Sequence, residues 1–100
     1  MVMENKIVMF SKPGCKYCEN ARSFLNTLQL QYKEIKLKPD ENNYEKKRDQ
    51  LFNYYNHHSY PIIVINNEFV GGYNDLIRSY DTLKLHNMCS RIGIDLQCDF

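Results

Sequence analysis

A chain of 100 residues has room for one domain around one core, and residues 1–100 are read here as that single unit. Hydrophobic residues at 43% and charged residues at 25% match ordinary globular usage and argue against disorder, and no apolar run approaches the roughly 20 residues of a membrane span. With 13 basic and 12 acidic side chains the formal net charge is +1, so nothing in the charge balance points to nucleic acid or a membrane surface as partner.

The first apolar run, Lys6 to Phe10, is β-branched and aromatic and is closed by Ser11-Lys12-Pro13-Gly14, which predicts a buried strand. Tyr17, Ala21, Phe24, Leu25 and Leu28 then recur at helical spacing, predicting a helix over residues 16–28 with these five positions inward. Tyr32 to Leu37 alternates apolar and charged residues as a strand does, so the first third of the chain reads as a βαβ unit with parallel strands. Pro39 to Asn42 is a turn and helix start. Tyr44, Leu51, Phe52 and Tyr55 share one face of the helix that follows, and Asn56-His57-His58-Ser59 ends it.

Pro61 to Ile65 is the strongest strand in the sequence. Asn66-Asn67 suits a tight turn, because asparagine accepts positive φ better than most residues, and Glu68 to Val70 returns as the second arm of a hairpin. Gly71-Gly72 stops that arm and Tyr73-Asn74-Asp75 opens a helix with Leu76, Ile77, Tyr80 and Leu83 as its stripe. Leu85, Met88, Cys89 and Ile92 carry the stripe on after a break near Asp81-Thr82. Residues 95–100 form a tail without assignable pattern. The order β-α-β-α-β-β-α predicts an α/β sandwich, one sheet with helices on both faces.

The cysteines are Cys15, Cys18, Cys89 and Cys98, too few for a disulfide scaffold. The N-terminal residues have no secretory layout, which favours a reducing, cytoplasmic setting, where a close cysteine pair reads as catalytic or metal-binding. Cys15-Lys16-Tyr17-Cys18 sits where the first strand hands over to the first helix, and the spacing lets the two sulfurs meet within one helical turn. Unpaired amides and partial positive charge at a helix start favour a thiolate, and Lys12 and Lys16 add charge, so Cys15 is the expected nucleophile. Cys18, one turn further in, is placed to resolve a mixed disulfide. The competing reading is half of a zinc site. It needs two further ligands, Cys89 and Cys98 are not a second close pair, and His57 and His58 read as solvated loop residues. Cys89 lies on an apolar stripe and reads as core, Cys98 as an exposed thiol, and Lys46-Lys47-Arg48 as a solvated face.

Three segments together carry a resemblance: Ser11 to Cys18, with its lysine three residues before Cys-x-Tyr-Cys; Ser59-Tyr60-Pro61; and Gly71-Gly72-Tyr73-Asn74-Asp75-Leu76. In this order and at these intervals they resemble a dithiol glutaredoxin. The absence of tryptophan removes the Trp-Cys-Gly-Pro-Cys motif of ordinary thioredoxins. The resemblance implies a thioredoxin-like three-layer sandwich on a mixed four-stranded sheet. It also implies glutathione-dependent reduction of protein disulfides and glutathione mixed disulfides, through a redox-active Cys15–Cys18 disulfide. On the same resemblance Pro61 is cis, Tyr60 offers backbone groups to the cysteinyl part of glutathione, and Tyr17 lines the site. Asn74 and Asp75 hold its γ-glutamyl end at a helix start, Gly72 and Tyr73 also contact glutathione, and Lys12 and Arg48 meet its glycine carboxylate.

Glutathione is then a cosubstrate, no bound cofactor is required, and the chain acts as a monomer on disulfide-containing or glutathionylated proteins. Two departures from the family pattern stand out. Lys16 replaces the proline common after the first cysteine, and Tyr60 replaces a small apolar residue before Pro61. Two other functions stay open at this point: a dimer in which Cys15 of each chain and two glutathione thiolates hold a [2Fe–2S] cluster, and a thioredoxin-type reductant fed by a flavoprotein reductase.

Overall fold

A computed structural model describes residues 6–94 and 96. Its elements run β1 (Ile7–Ser11), α1 (Lys16–Thr27), β2 (Lys33–Lys36), α2 (Tyr44–Tyr55), β3 (Ile62–Ile65), β4 (Glu68–Gly71), α3 (Tyr73–Asp81) and α4 (Lys84–Arg91). The sheet order is β2-β1-β3-β4, with β1 parallel to β2 and antiparallel to β3, and β3 antiparallel to β4. The expected α/β sandwich on a mixed four-stranded sheet is thus present, with one more helix than the predicted order.

Alternation along β1 decides the layers. Ile7 and Met9 are fully buried on one face with Ile63 and Ile65 of β3, and there they meet Ala21 and Leu25 of α1, Leu76 of α3, and Leu85, Met88 and Cys89 of α4. The other face carries Phe10, paired in register with Ile35 and Ile62, and is covered by α2 through Phe10–Tyr55 and Tyr55–Phe69 ring contacts at 6.4 and 5.3 Å. None of α2 is fully buried. α1, α3 and α4 by contrast each bury residues, so the tightly packed core lies on their side of the sheet.

Local chemistry sets the boundaries. Asn66 and Asn67 take φ of 51° and 66°, as the hairpin turn between β3 and β4 requires. Asn56 closes α2 in the left-handed conformation at φ 52°, its N–H donating to the Asn53 and Phe52 carbonyls. The break between α3 and α4 falls at Leu83, which is left-handed (φ 65°) and 45% exposed. The expected place of Leu83 on the buried stripe is therefore corrected: the left-handed residue breaks the helix there, and its side chain is open to solvent. Tyr17 is corrected likewise. It is 57% exposed and not inward, because the buried line of α1 runs through Cys18, Ala21 and Leu25 and Tyr17 lies one position round the helix from it.

A polar cluster ties α1 to β2. Glu34 accepts from Arg22 Nε at 2.9 Å and from the hydroxyl of fully buried Ser11 at 2.6 Å. The Arg22 hydrogen bond, aided by Ser11, outweighs desolvation and holds the Glu34 carboxyl at about 2, against an ordinary value of 4.5. A carboxyl depressed by folding stabilises fully above its unfolded value and loses that contribution as pH falls from about 4.5 through about 2. Glu34→Gln is expected to cost about 1–3 kcal/mol at neutral pH and to flatten the acid limb of a plot of Tm against pH. Denaturation scans of both proteins between neutral and strongly acidic pH check this.

Candidate active site

The site grows from the end of β1. Pro13 and Gly14, the latter at φ 74°, turn the chain so that Cys15 becomes the N-cap of α1 in extended conformation. Cys15 Sγ accepts a hydrogen bond from the Cys18 N–H at 3.2 Å, which occupies one of the amides a helix start leaves unpaired. Cys15 and Cys18 are disulfide-bonded, with Cα atoms 5.2 Å apart. Cys15 is half-buried whereas Cys18 is 1% exposed, so an incoming reactant meets only the first sulfur.

Two further segments close around this corner. The Tyr60–Pro61 peptide bond is cis, and Pro61 is buried immediately ahead of β3. Gly72, the N-cap of α3, is packed so closely here that a Cβ would lie 3.3 Å from His57 Nε2 and 3.5 Å from the Pro61 carbonyl oxygen. At Gly71, in the positive-φ region at 125°, a Cβ would run into the Asp75 side chain. The paired glycines therefore let the start of α3 sit against the Pro61 loop. Asp75 caps this helix, accepting from the Gly72 N–H at 3.0 Å, and its other oxygen faces Arg78 Nη1 at 3.5 Å. Tyr73 packs its ring 6.2 Å from that of Tyr17, joining the start of α3 to the first turn of α1, and Asn74 is exposed beside it.

A basic and aromatic chain links Lys12 and Tyr60 to α2. The Lys12 ammonium stands 5.6 Å from the Tyr60 ring centroid, the Tyr60 and Tyr44 hydroxyls are 3.2 Å apart, and the Arg48 guanidinium lies 5.6 Å from the Tyr44 ring centroid. Arg48 also donates from Nε and Nη2 to Asp49 at 3.1 and 3.0 Å. Burial, together with the Tyr44 hydroxyl, pushes the Tyr60 phenol well above its ordinary value, so it stays protonated.

The structure thus brings Cys15, Cys18, Tyr17, Pro61, Gly72, Tyr73 and Asp75 to one corner, with Lys12, Tyr60 and Arg48 along one wall. Sequence reasoning missed Tyr44 and His57. Tyr44 looked like an ordinary position of an apolar stripe, and only the tertiary contact shows its hydroxyl on Tyr60. His57 is half-buried against Gly72 and lies 3.3 Å from the Ser59 hydroxyl, which corrects the solvated-loop reading. Its signal was position: it lies in the short turn that carries α2 into Pro61. His58 is exposed, as expected, with its ring edge against Phe52.

Cys89 is fully buried and desolvation raises its thiol pKa, which makes it core. Cys98 lies outside the described residues. For the zinc reading, the described residues contain no group of three or more His, Cys, Asp or Glu side chains placed to hold a metal. For the cluster reading, Cys15 is the only cysteine among the described residues that is not fully buried. No helix of the described residues is long and apolar enough to cross a membrane.

Comparison with known proteins gives consistent relatives. Human mitochondrial glutaredoxin-2 is 31% identical over 97% of this chain and 55% of its own length. A probable glutaredoxin of Acanthamoeba polyphaga mimivirus is 33% identical over 74% of this chain and 76% of its own. The chain spans little more than half the length of the mammalian relatives it matches. Among solved structures, oxidised glutaredoxin 2 of Chlamydomonas reinhardtii superposes with a TM-score of 0.77 at 27% identity, over 89% of this chain and 83% of that one. The buckwheat glutaredoxin–glutathione complex superposes with a TM-score of 0.81 at 24% identity, over 91% and 82%, which establishes the thioredoxin-like fold. The glutaredoxin family model matches residues 7–70, from β1 through the cysteine pair and the Pro61 loop into β4, and the chain belongs to the glutaredoxin family.

Proposed function

We propose that this chain is a glutathione-dependent thiol–disulfide oxidoreductase that reduces protein disulfides and glutathione mixed disulfides, working as a monomer in a reducing, cytoplasmic setting. The observation that carries the reading is the asymmetry of the cysteine pair. Cys15 is accessible at a helix N-cap with its sulfur on an amide donor, and Cys18 is buried directly behind it. That amide and the helix dipole favour the Cys15 thiolate once the disulfide is reduced.

The Cys15 thiolate attacks the glutathione sulfur of a mixed disulfide. A Cys15–glutathione disulfide forms, and the protein thiolate leaves and takes a proton from water. A glutathione thiolate then attacks the glutathione sulfur of that adduct, releasing glutathione disulfide and restoring the Cys15 thiolate. Glutathione supplies both electrons, so no bound cofactor is required.

The site's charges suit a zwitterionic tripeptide. Lys12, backed by Arg48, meets the glycine carboxylate, and the α3 start at Gly72, Tyr73, Asn74 and Asp75 meets the γ-glutamyl group, with Asp75 toward its ammonium. The Tyr60 backbone takes the cysteinyl part, beside Pro61 and Tyr17. Turnover of a glutathionylated peptide, coupled to glutathione disulfide reduction, tests the reading. Charge-assisted hydrogen bonds are worth about 1.5–3 kcal/mol, so Lys12→Ala should raise the KM for glutathione roughly tenfold or more. Arg48→Ala should raise it less, because that guanidinium also pairs with Asp49. An unchanged KM in the Lys12, Arg48 and Asp75→Asn variants alike would place the glutathione site elsewhere.

A further inference from the structure

A cavity of about 240 Å³ lies between the sheet and α2, outside the glutathione site described above. Phe10, Ile35, Tyr44 and Leu51 line it, and all four are only partly buried, so apolar surface is left open where a fully packed helix would have closed it. The volume is below the roughly 300–1,000 Å³ of small-molecule sites and suits one large side chain rather than a cofactor. The lining also carries Lys36, Lys38 and Lys47 against a single carboxylate, Glu41.

Position ties the cavity to the reacting sulfurs. Lys36 pairs in register with Ser11, and the Leu37 N–H donates to the Ser11 carbonyl at 2.8 Å, so the cavity lies at the end of β1 that leads into Cys15. Tyr44 is shared: its ring lines the cavity while its hydroxyl meets that of Tyr60, next to Pro61. A substrate chain whose sulfur faces Cys15 can therefore extend past Tyr60 and Tyr44 into the cavity. The positive rim continues in the same direction through Arg48, over the Tyr44 ring, and Lys12, over Tyr60.

We infer that this cavity is a docking site for the protein substrate, taking one large aliphatic side chain flanked by carboxylates, so that the substrate class is glutathionylated or disulfide-bonded segments of acidic character. This rests on the oxidoreductase reading above. Complementary rim charge acts mainly on encounter and register, so it should appear in kcat/KM and fade with added salt.

The probes are two glutathionylated peptides of equal length, one with a leucine between glutamates near its cysteine and one with the same leucine between lysines. The mixed disulfide of glutathione with 2-mercaptoethanol serves as a third substrate too small to reach the cavity. At low salt the wild-type protein should turn over the acidic peptide with a kcat/KM about five- to tenfold above that of the basic one. Lys38→Glu/Lys47→Glu, both on exposed positions, should abolish or invert that preference and leave turnover of the small mixed disulfide unchanged. Replacing the peptide's leucine with alanine should lower kcat/KM for the acidic peptide severalfold, a measurement that needs no protein variant. Equal turnover of the two peptides by the wild-type protein, or a preference that survives in the double variant, overturns the docking site while leaving the oxidoreductase reading standing. No turnover of the small mixed disulfide by the wild-type protein overturns both.

Discussion

Cys15→Ser is expected to reduce every thiol–disulfide exchange activity of this protein to the uncatalysed background. The reason is geometric as well as chemical. Cys18 is 1% exposed behind Cys15, and Cys89 is fully buried in the α4 layer with its thiol pKa raised by desolvation, so neither can take over the attack. A serine hydroxyl at the same N-cap accepts the Cys18 N–H equally well, so the fold and the start of α1 should survive. The measurement is turnover of a glutathionylated peptide by the two proteins, with thermal denaturation as the check on folding. In the reduced wild-type protein, alkylation at neutral pH followed by peptide mapping should label Cys15 first. Preferential labelling of Cys18 would contradict the assignment of the nucleophile.

Cys18→Ser should divide the chemistry in two. Removing glutathione from a mixed disulfide needs only attack by Cys15 and a second glutathione, so this activity should persist close to the wild-type level. Reducing a protein disulfide leaves the substrate tethered to Cys15, and the buried Cys18, whose Cα is 5.2 Å from that of Cys15, is the thiol placed to release it. That second activity should fall by most of its value. It should recover in part at high glutathione, which can resolve the tether from outside. Parallel assays on a glutathionylated peptide and on a disulfide-bonded protein distinguish the cases, and equal loss of both would count against the proposed division of labour.

Much of this architecture was legible in the residues because it follows from local rules. Alternation in Ile7 to Ser11 and the unbroken apolar run Ile62 to Ile65 specify buried strands, and Asn66-Asn67 specifies a hairpin turn through its tolerance of positive φ. The break near Thr82 was readable too. Its consequence for Leu83 was not, because helical spacing continues through the position and only the direction in which α4 leaves decides which way the side chain turns. Tyr17 differs for a related reason: an aromatic at helical spacing reads as core, yet the buried line of α1 runs through Cys18, Ala21 and Leu25, one position round the helix from Tyr17.

The family, the βαβ start, the cysteine pair at a helix N-terminus and the residue types gathered around it are all legible in the residues alone. These depend on spacing within short segments, and the physics of a strand, a helix cap or a thiolate at a dipole acts over a few residues. What meets what is set by packing between distant segments: Tyr44 on Tyr60, Lys12 above the Tyr60 ring, His57 against Gly72, and the unfilled volume under α2. Those contacts join segments many positions apart in the chain, and their distances depend on how thickly each layer packs. A helix such as α2, whose stripe mixes long aromatic and charged side chains, can sit close to a sheet or stand off it with the same sequence pattern. Which of the two occurs is settled only when every other side chain competing for that space is in place.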